Sequence, residues 1–109
     1  QEDRETFLIA DAEIAADFCL LARGDSMIGA RIYDGDAVFI RSQPMVENGE
    51  IAAVIIDDEA TLKRVYYDRE HARLQLVPEN PAYSPLVYVG EELDNIRILG
   101  KAVGFMSIF

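Results

Sequence analysis

The chain has little of what most enzyme chemistry is built on: one histidine, one cysteine and no tryptophan among 109 residues. A single cysteine excludes an internal disulfide. Cys19 sits in the apolar run Phe18-Cys19-Leu20-Leu21, where a buried, inert thiol is the ordinary expectation, and no neighbouring base would activate it. The one histidine, His71, lies in a polar turn, a poor position for the base of a Ser-His-Asp relay. Positive charge is scarce as well, with 10 Lys and Arg against 20 Asp and Glu and a net charge of −10. Phosphate contacts need clustered Lys and Arg, so this domain is not expected to bind nucleic acid directly, and any role on DNA must come from another domain. Long hydrophobic runs are missing too, and Gln1-Glu2-Asp3-Arg4-Glu5 lacks the basic and apolar regions of a signal peptide. A cytoplasmic protein with no membrane partner is the expectation. Because the chain starts without methionine in a charged stretch, it also reads as a fragment or processed product.

Half of the residues are hydrophobic, enough for one domain with a real core. Short β-rich runs recur at close spacing: Phe18–Ala22, Ala37–Arg41, Ile51–Ile56, Ala60–Tyr67, Leu74–Val77, Leu86–Val89 and Ile96–Phe105. Turn chemistry separates them at Asp34-Gly35-Asp36, Asn48-Gly49, Asp57-Asp58-Glu59 and the rigid Pro78-Glu79-Asn80-Pro81 loop with Pro85. The pattern predicts a mainly β domain of folded, partly barrel-like sheets. Residues 1–17 read as an N-terminal tether that pairs loosely as a strand, and residues 18–109 as the domain proper. One short helical turn is predicted, starting at Ser26 and running to Arg31.

Chemistry enters through two residues that are ordinary alone. Ser26, in Arg23-Gly24-Asp25-Ser26-Met27-Ile28, precedes Lys63, in Ala60-Thr61-Leu62-Lys63-Arg64-Val65, by thirty-seven residues. A serine after Gly-Asp and before a helical turn is a good N-cap. The same geometry suits a nucleophile, because the unpaired backbone N–H groups of Ser26 and Met27 could hold an oxyanion. With no histidine to serve, a lysine must take the serine proton. Most strand lysines face water, but alternation puts Thr61, Lys63, Val65 and Tyr67 on one face and Ala60, Leu62, Arg64 and Tyr66 on the other. One of the two adjacent cations therefore follows an inward face, and Lys63 is the better candidate for desolvation, since arginine can keep its fork in water. Desolvation is what the chemistry requires: at the reference pKa of about 10.4, roughly one lysine in 2,500 is neutral at pH 7. Burial lowers that value by up to ~3–5 units.

Other constellations read as structure. Asp57, Asp58 and Glu59 form a solvated hairpin turn rather than a cation site, and Asp34 and Asp36 shape a turn, as do Glu79 and Asn80 between prolines. Gly24, Gly29 and Gly35 lack the spacing of a nucleotide-binding loop. No metal and no cofactor are expected.

Read in order, these segments resemble the C-terminal domains of LexA-type and phage CI-type repressors and of UmuD, the self-cleaving serine–lysine peptidases of family S24. Gly24-Asp25-Ser26-Met27 resembles the nucleophile motif, Ile32-Tyr33-Asp34-Gly35-Asp36 the turn after it, and Asn48-Gly49-Glu50-Ile51-Ala52-Ala53-Val54 the central strand. Thr61-Leu62-Lys63-Arg64 resembles the general-base segment, and Leu76-Val77-Pro78-Glu79-Asn80-Pro81-Ala82-Tyr83 and Ile98–Gly104 the closing segments. The resemblance implies a mainly β, LexA- and signal-peptidase-like fold in which Ser26 is the nucleophile and Lys63 the general base. They would act on an upstream bond of Ala-Gly type in the same chain, and residues 1–17 would follow that cleavage region. It further implies a homodimer, operator DNA bound by an upstream helix-turn-helix domain, and control by a RecA filament on single-stranded DNA or by an antirepressor. Two alternatives keep the fold: a non-catalytic dimerisation or partner-binding module, and a UmuD-like subunit serving a DNA polymerase in SOS mutagenesis.

Overall fold

The computed structural model describes residues 15–107. The seven predicted strands are the seven strands present among the described residues: β1 (Phe18–Leu21), β2 (Ala37–Ser42), β3 (Ile51–Ile56), β4 (Glu59–Asp68), β5 (Arg73–Val77), β6 (Leu86–Val89) and β7 (Ile96–Met106). They form one antiparallel sheet in the order β1-β2-β7-β3-β4-β5-β6. The sheet is open, with β1 and β6 as its edges. The expected tether over residues 1–17 lies mostly outside the described residues, although Asp17 already donates its N–H to the Ile40 carbonyl at 2.8 Å.

Turn chemistry sets the register. Asp57 and Asp58 join β3 to β4 with φ of 50° and 69°, the paired left-handed conformation that suits a two-residue hairpin. Asn48 clamps the far end of that hairpin, its Oδ1 accepting the Tyr67 N–H at 2.7 Å and its Nδ2 donating to the Tyr67 carbonyl at 3.3 Å. β7 carries two irregularities, where its pairing slips against β2 between Phe39 and Ile40 and against β3 between Ala53 and Val54. Extra residues of this kind bend a strand and increase its twist.

Bending explains how a single sheet buries both faces of its centre. Met27, Ile32, Val38, Ile40, Ala53 and Leu62 form one buried cluster, and Ala52, Val54, Val65, Leu74 and Leu76 form another. Ala53 serves the first and its neighbours Ala52 and Val54 the second, as the two-residue period of a strand requires. In a flat sheet the two edges, six intervals apart, would be separated by about 29 Å. Here Leu20 and Leu21 of β1 and Leu86 of β6 line one cleft, so the sheet has curled over on itself.

The helical turn is shorter and later than the sequence predicts. It is a 3-10 turn over Ile28–Ala30 with Met27 at its N-cap, and no side chain caps it. The N-cap reading of Ser26 is thereby corrected: the turn starts two residues beyond it, with Met27 in the N-cap position. A second 3-10 segment, Gly90–Asn95, joins β6 to β7. Cys19 is also corrected from buried to exposed, because β1 is an edge strand with mostly exposed side chains.

Candidate active site

β4 is half covered. Arg64–Asp68 pair with β5, whereas Glu59–Lys63 have β3 on one side and, among the described residues, an open edge on the other. Val65 exchanges backbone hydrogen bonds with Gly49 and Glu50, its N–H donating at 2.9 Å and its carbonyl accepting at 2.8 Å. By alternation Leu62 and Ala60 turn their N–H and C=O groups away from β3, toward the open edge. A cleft of about 610 Å³ runs along that edge, walled by β1, the loop that carries Ser26 and β6.

Ser26 and Lys63 both line this cleft, so the fold brings together the two residues the sequence singles out. The β4 reading holds in part: Lys63 is 9% exposed and its neighbour Leu62 5% exposed, because both faces of β4 are covered at this point. Arg64 stays about a quarter exposed, with its side chain at 28%. Lys63 Nζ donates to Thr61 Oγ1 at 2.7 Å and to the Leu62 carbonyl at 3.1 Å. Since that carbonyl points outward, the amine sits at the open edge. Burial pushes the Lys63 pKa below the ordinary lysine value. The hydrogen-bond count acts in the same direction. An ammonium has three N–H donors and finds two acceptors here among the described residues, whereas a neutral amine uses both acceptors for its two N–H groups and keeps a free lone pair.

Ser26 stands on a loop secured from several sides. Gly24, with φ of 76°, donates its N–H to Asp34 Oδ1 at 2.7 Å. Asp36, buried at 3% exposure, accepts the Tyr33 N–H at 2.8 Å and holds the turn beyond Ser26. From the other side Glu79 donates its N–H to the Ser26 carbonyl at 2.8 Å and accepts the Gly29 N–H at 2.7 Å. Asn80 Nδ2 donates to the Asp25 carbonyl at 2.8 Å, and the Tyr83 hydroxyl donates to Asp25 Oδ1. That carboxylate raises the Tyr83 pKa and keeps the phenol a donor. Ser26 and Met27 have no backbone acceptor for their N–H groups among the described residues, as an oxyanion site would need. The sequence read Thr61 only as a flank of Lys63, and Asp34, Glu79 and Asn80 only as turn formers; the contacts of the last three to the site cross gaps of up to 55 residues that no local pattern encodes.

His71 is remote from this arrangement, exposed in the β4–β5 turn with Nδ1 2.7 Å from Asp68 Oδ2. The pair lowers the Asp68 pKa.

With Ser26 and Lys63 in one cleft at the edge of a curled antiparallel sheet, the match to known families is decisive: residues 2–103 fit the family model described as Peptidase S24-like. The chain belongs to the Peptidase S24-like family. Within it, the chain is similar to LexA repressors, being 49% identical over 87 residues to that of Oleidesulfovibrio alaskensis, across 80% of this chain and 40% of the repressor. To the LexA repressor of Desulforamulus reducens it is 51% identical over 89 residues, across 82% of this chain and 38% of the repressor. To that of Geobacter metallireducens it is 43% identical over 105 residues, across 94% of this chain and 51% of the repressor. The S24 domain thus spans between about two-fifths and half the length of these relatives. No helix among the described residues is long and apolar enough to cross a membrane.

Proposed function

We propose that this S24 domain is the self-cleaving and dimerisation domain of a LexA-like transcriptional repressor. The observation that carries the reading is the shared cleft, in which a buried lysine with a lowered pKa faces the same space as Ser26. An extended upstream segment of the same chain would lie along the open edge of β4, pairing with the outward N–H and C=O groups of Ala60 and Leu62. Neutral Lys63 would accept the Ser26 proton as the oxygen attacks the carbonyl carbon of an Ala-Gly type bond. The Ser26 and Met27 N–H groups would hold the resulting oxyanion. As the C–N bond breaks, the Lys63 ammonium would return its proton to the leaving amine, and the neutral amine would then activate water to release the acyl group from Ser26.

Net charge divides the labour in the whole protein. A domain at −10 is repelled by DNA, so operator binding would belong to an upstream domain, with this one joining two copies. Two linked DNA-binding domains gain from occupying two half-sites together, and a cut between them and the dimer removes that gain. A RecA filament or an antirepressor would act by favouring the cleavable arrangement of the upstream segment.

Intact-mass analysis of the longer parent chain at alkaline pH, beside its Ser26→Ala variant, tests the reading. One upstream cut that disappears in the variant is expected. No cut in the wild-type chain would instead support a dimerisation or partner-binding module that keeps the fold without the reaction.

A further inference from the structure

Glu79 touches both halves of the dyad's framework. Its backbone is bonded twice to the nucleophile loop, donating to the Ser26 carbonyl at 2.8 Å and accepting from the Gly29 N–H at 2.7 Å. Its carboxylate accepts the Arg64 Nε–H at 3.1 Å. Arg64 follows Lys63 on β4, and its other arm donates to the Gly49 carbonyl. The approach is close: a Cβ on Gly29 would lie 2.6 Å from the Glu79 carbonyl oxygen. Asn80 and Tyr83, next along the loop, add the two bonds to Asp25.

No strand pairing joins the nucleophile loop to β4. Ser26 lies between β1 and β2, while Lys63 lies on the other side of β7 and β3 in the sheet. A short polar route does connect them, from Ser26 through the Glu79 backbone and carboxylate to Arg64, whose neighbour is Lys63. A planar guanidinium held by two acceptors is a stiff end for such a strut.

From this we infer that Glu79 is a positioning residue that sets the distance between Ser26 and Lys63, acting with Arg64 as the partner that ties it to the general-base strand. The inference rests on the serine–lysine reading above. Glu79 takes no proton and contacts no reacting atom; it acts through the placement of Ser26. The length of the strut matters more than its charge, so an amide oxygen can replace the carboxylate.

The test uses the parent chain, with alkaline self-cleavage followed by intact mass across a pH series. Glu79→Ala is expected to lower the plateau rate by about 10- to 100-fold without moving the pH inflection, since small displacements at a reacting pair have effects of that order. Glu79→Gln, which can still accept from Arg64, should cut within about threefold of wild type. Arg64→Ala should be as slow, and the double variant no slower than the slower single, because both changes break one connection. Amide exchange gives a readout independent of cleavage: the Gly29 and Glu79 amides should exchange faster in Glu79→Ala while those of β2 and β3 keep their rates. Should the alanine variants unfold, Arg64→Lys keeps the charge but not the fork, and a folded protein slowed by about fivefold or more is expected.

Wild-type rates in Glu79→Ala with unchanged exchange at Gly29, or in a folded Arg64→Lys, overturn the inference alone. So does a moved inflection with an unchanged plateau, which would make the action on Lys63 electrostatic. A wild-type chain that does not cut, or a Ser26→Ala variant that does, overturns the serine–lysine reading and this inference with it.

Discussion

Lys63 is buried with two acceptors for three ammonium donors, and its protonation state should therefore be visible in stability as well as in cleavage. Its folded-state pKa lies below the unfolded value of 10.5 because burial penalises the charge. Below the folded pKa both states hold the proton and the penalty is present in full; between the two values the unfolded chain binds more protons, so stability rises with pH. Relative to Lys63→Met, the wild-type urea midpoint is expected to climb as the pH rises toward the unfolded value of 10.5, and parallel curves for the two proteins would contradict the burial argument. The same groups predict a second effect. Thr61→Val removes one acceptor while preserving shape, which disfavours the ammonium further and leaves the amine less well held. Cleavage should then show an inflection at lower pH and a plateau reduced by roughly tenfold, read from the same mass-based pH series. Ser26 and Lys63, which the fold brings to one cleft, were legible in the sequence as a candidate pair, since without a usable histidine such a serine would need a lysine as its base. The supports from Glu79, Asn80 and Tyr83 were not, because they arise from contacts between segments far apart in the chain. Nor were the two acceptors, which lie only one and two residues from Lys63 but are set by how the buried amine turns back on its own strand.

Among the elements, the β3–β4 hairpin and the bent strand β7 carry the geometry of the site. The hairpin turn holds two aspartates at positive φ, a conformation glycine adopts without a Cβ penalty. Asp58→Gly is expected to stabilise the domain by about 0.5–1 kcal/mol in urea denaturation, and a destabilised variant would mean that the Asp58 side chain contributes more than its backbone strain costs. β7 is less forgiving. A Cβ on Gly100 would fall well inside contact distance of the Arg41 carbonyl, on the neighbouring strand at the bent crossing. Gly100→Ala should lower stability by about 1–3 kcal/mol, and an unchanged urea midpoint would show that the strands can move apart at no cost. All seven strands were readable because β-branched and aromatic runs stood between strong turn signals. Helical content was harder: the 3-10 turn begins at Ile28 because a single short turn takes its start from the bonds around it, here the Gly29 N–H to the Glu79 carbonyl.

At the scale of the whole molecule, the two core clusters share β3 and should melt together. Leu76→Ala on one side and Ile40→Val on the other are expected to cost about 2–5 and about 0.5–1.5 kcal/mol respectively within a single urea transition, and separate transitions would show that the faces of the curled sheet are independent. Curling is also what creates the cleft, since Leu21 and Leu86 belong to opposite edges of the sheet. By itself the sequence determined the strands and their turns, the net acidity, and the serine and lysine on which the proposed chemistry would rest, because each of these is a matter of local propensity, composition or elimination. Only the tertiary structure decided that β4 leaves an open edge among the described residues, that Lys63 is buried there with two acceptors, and that the Pro78–Tyr83 segment braces the loop that carries Ser26. Those outcomes depend on which segments meet when the sheet bends, and a bend is a sum over many strands that no single stretch of residues contains.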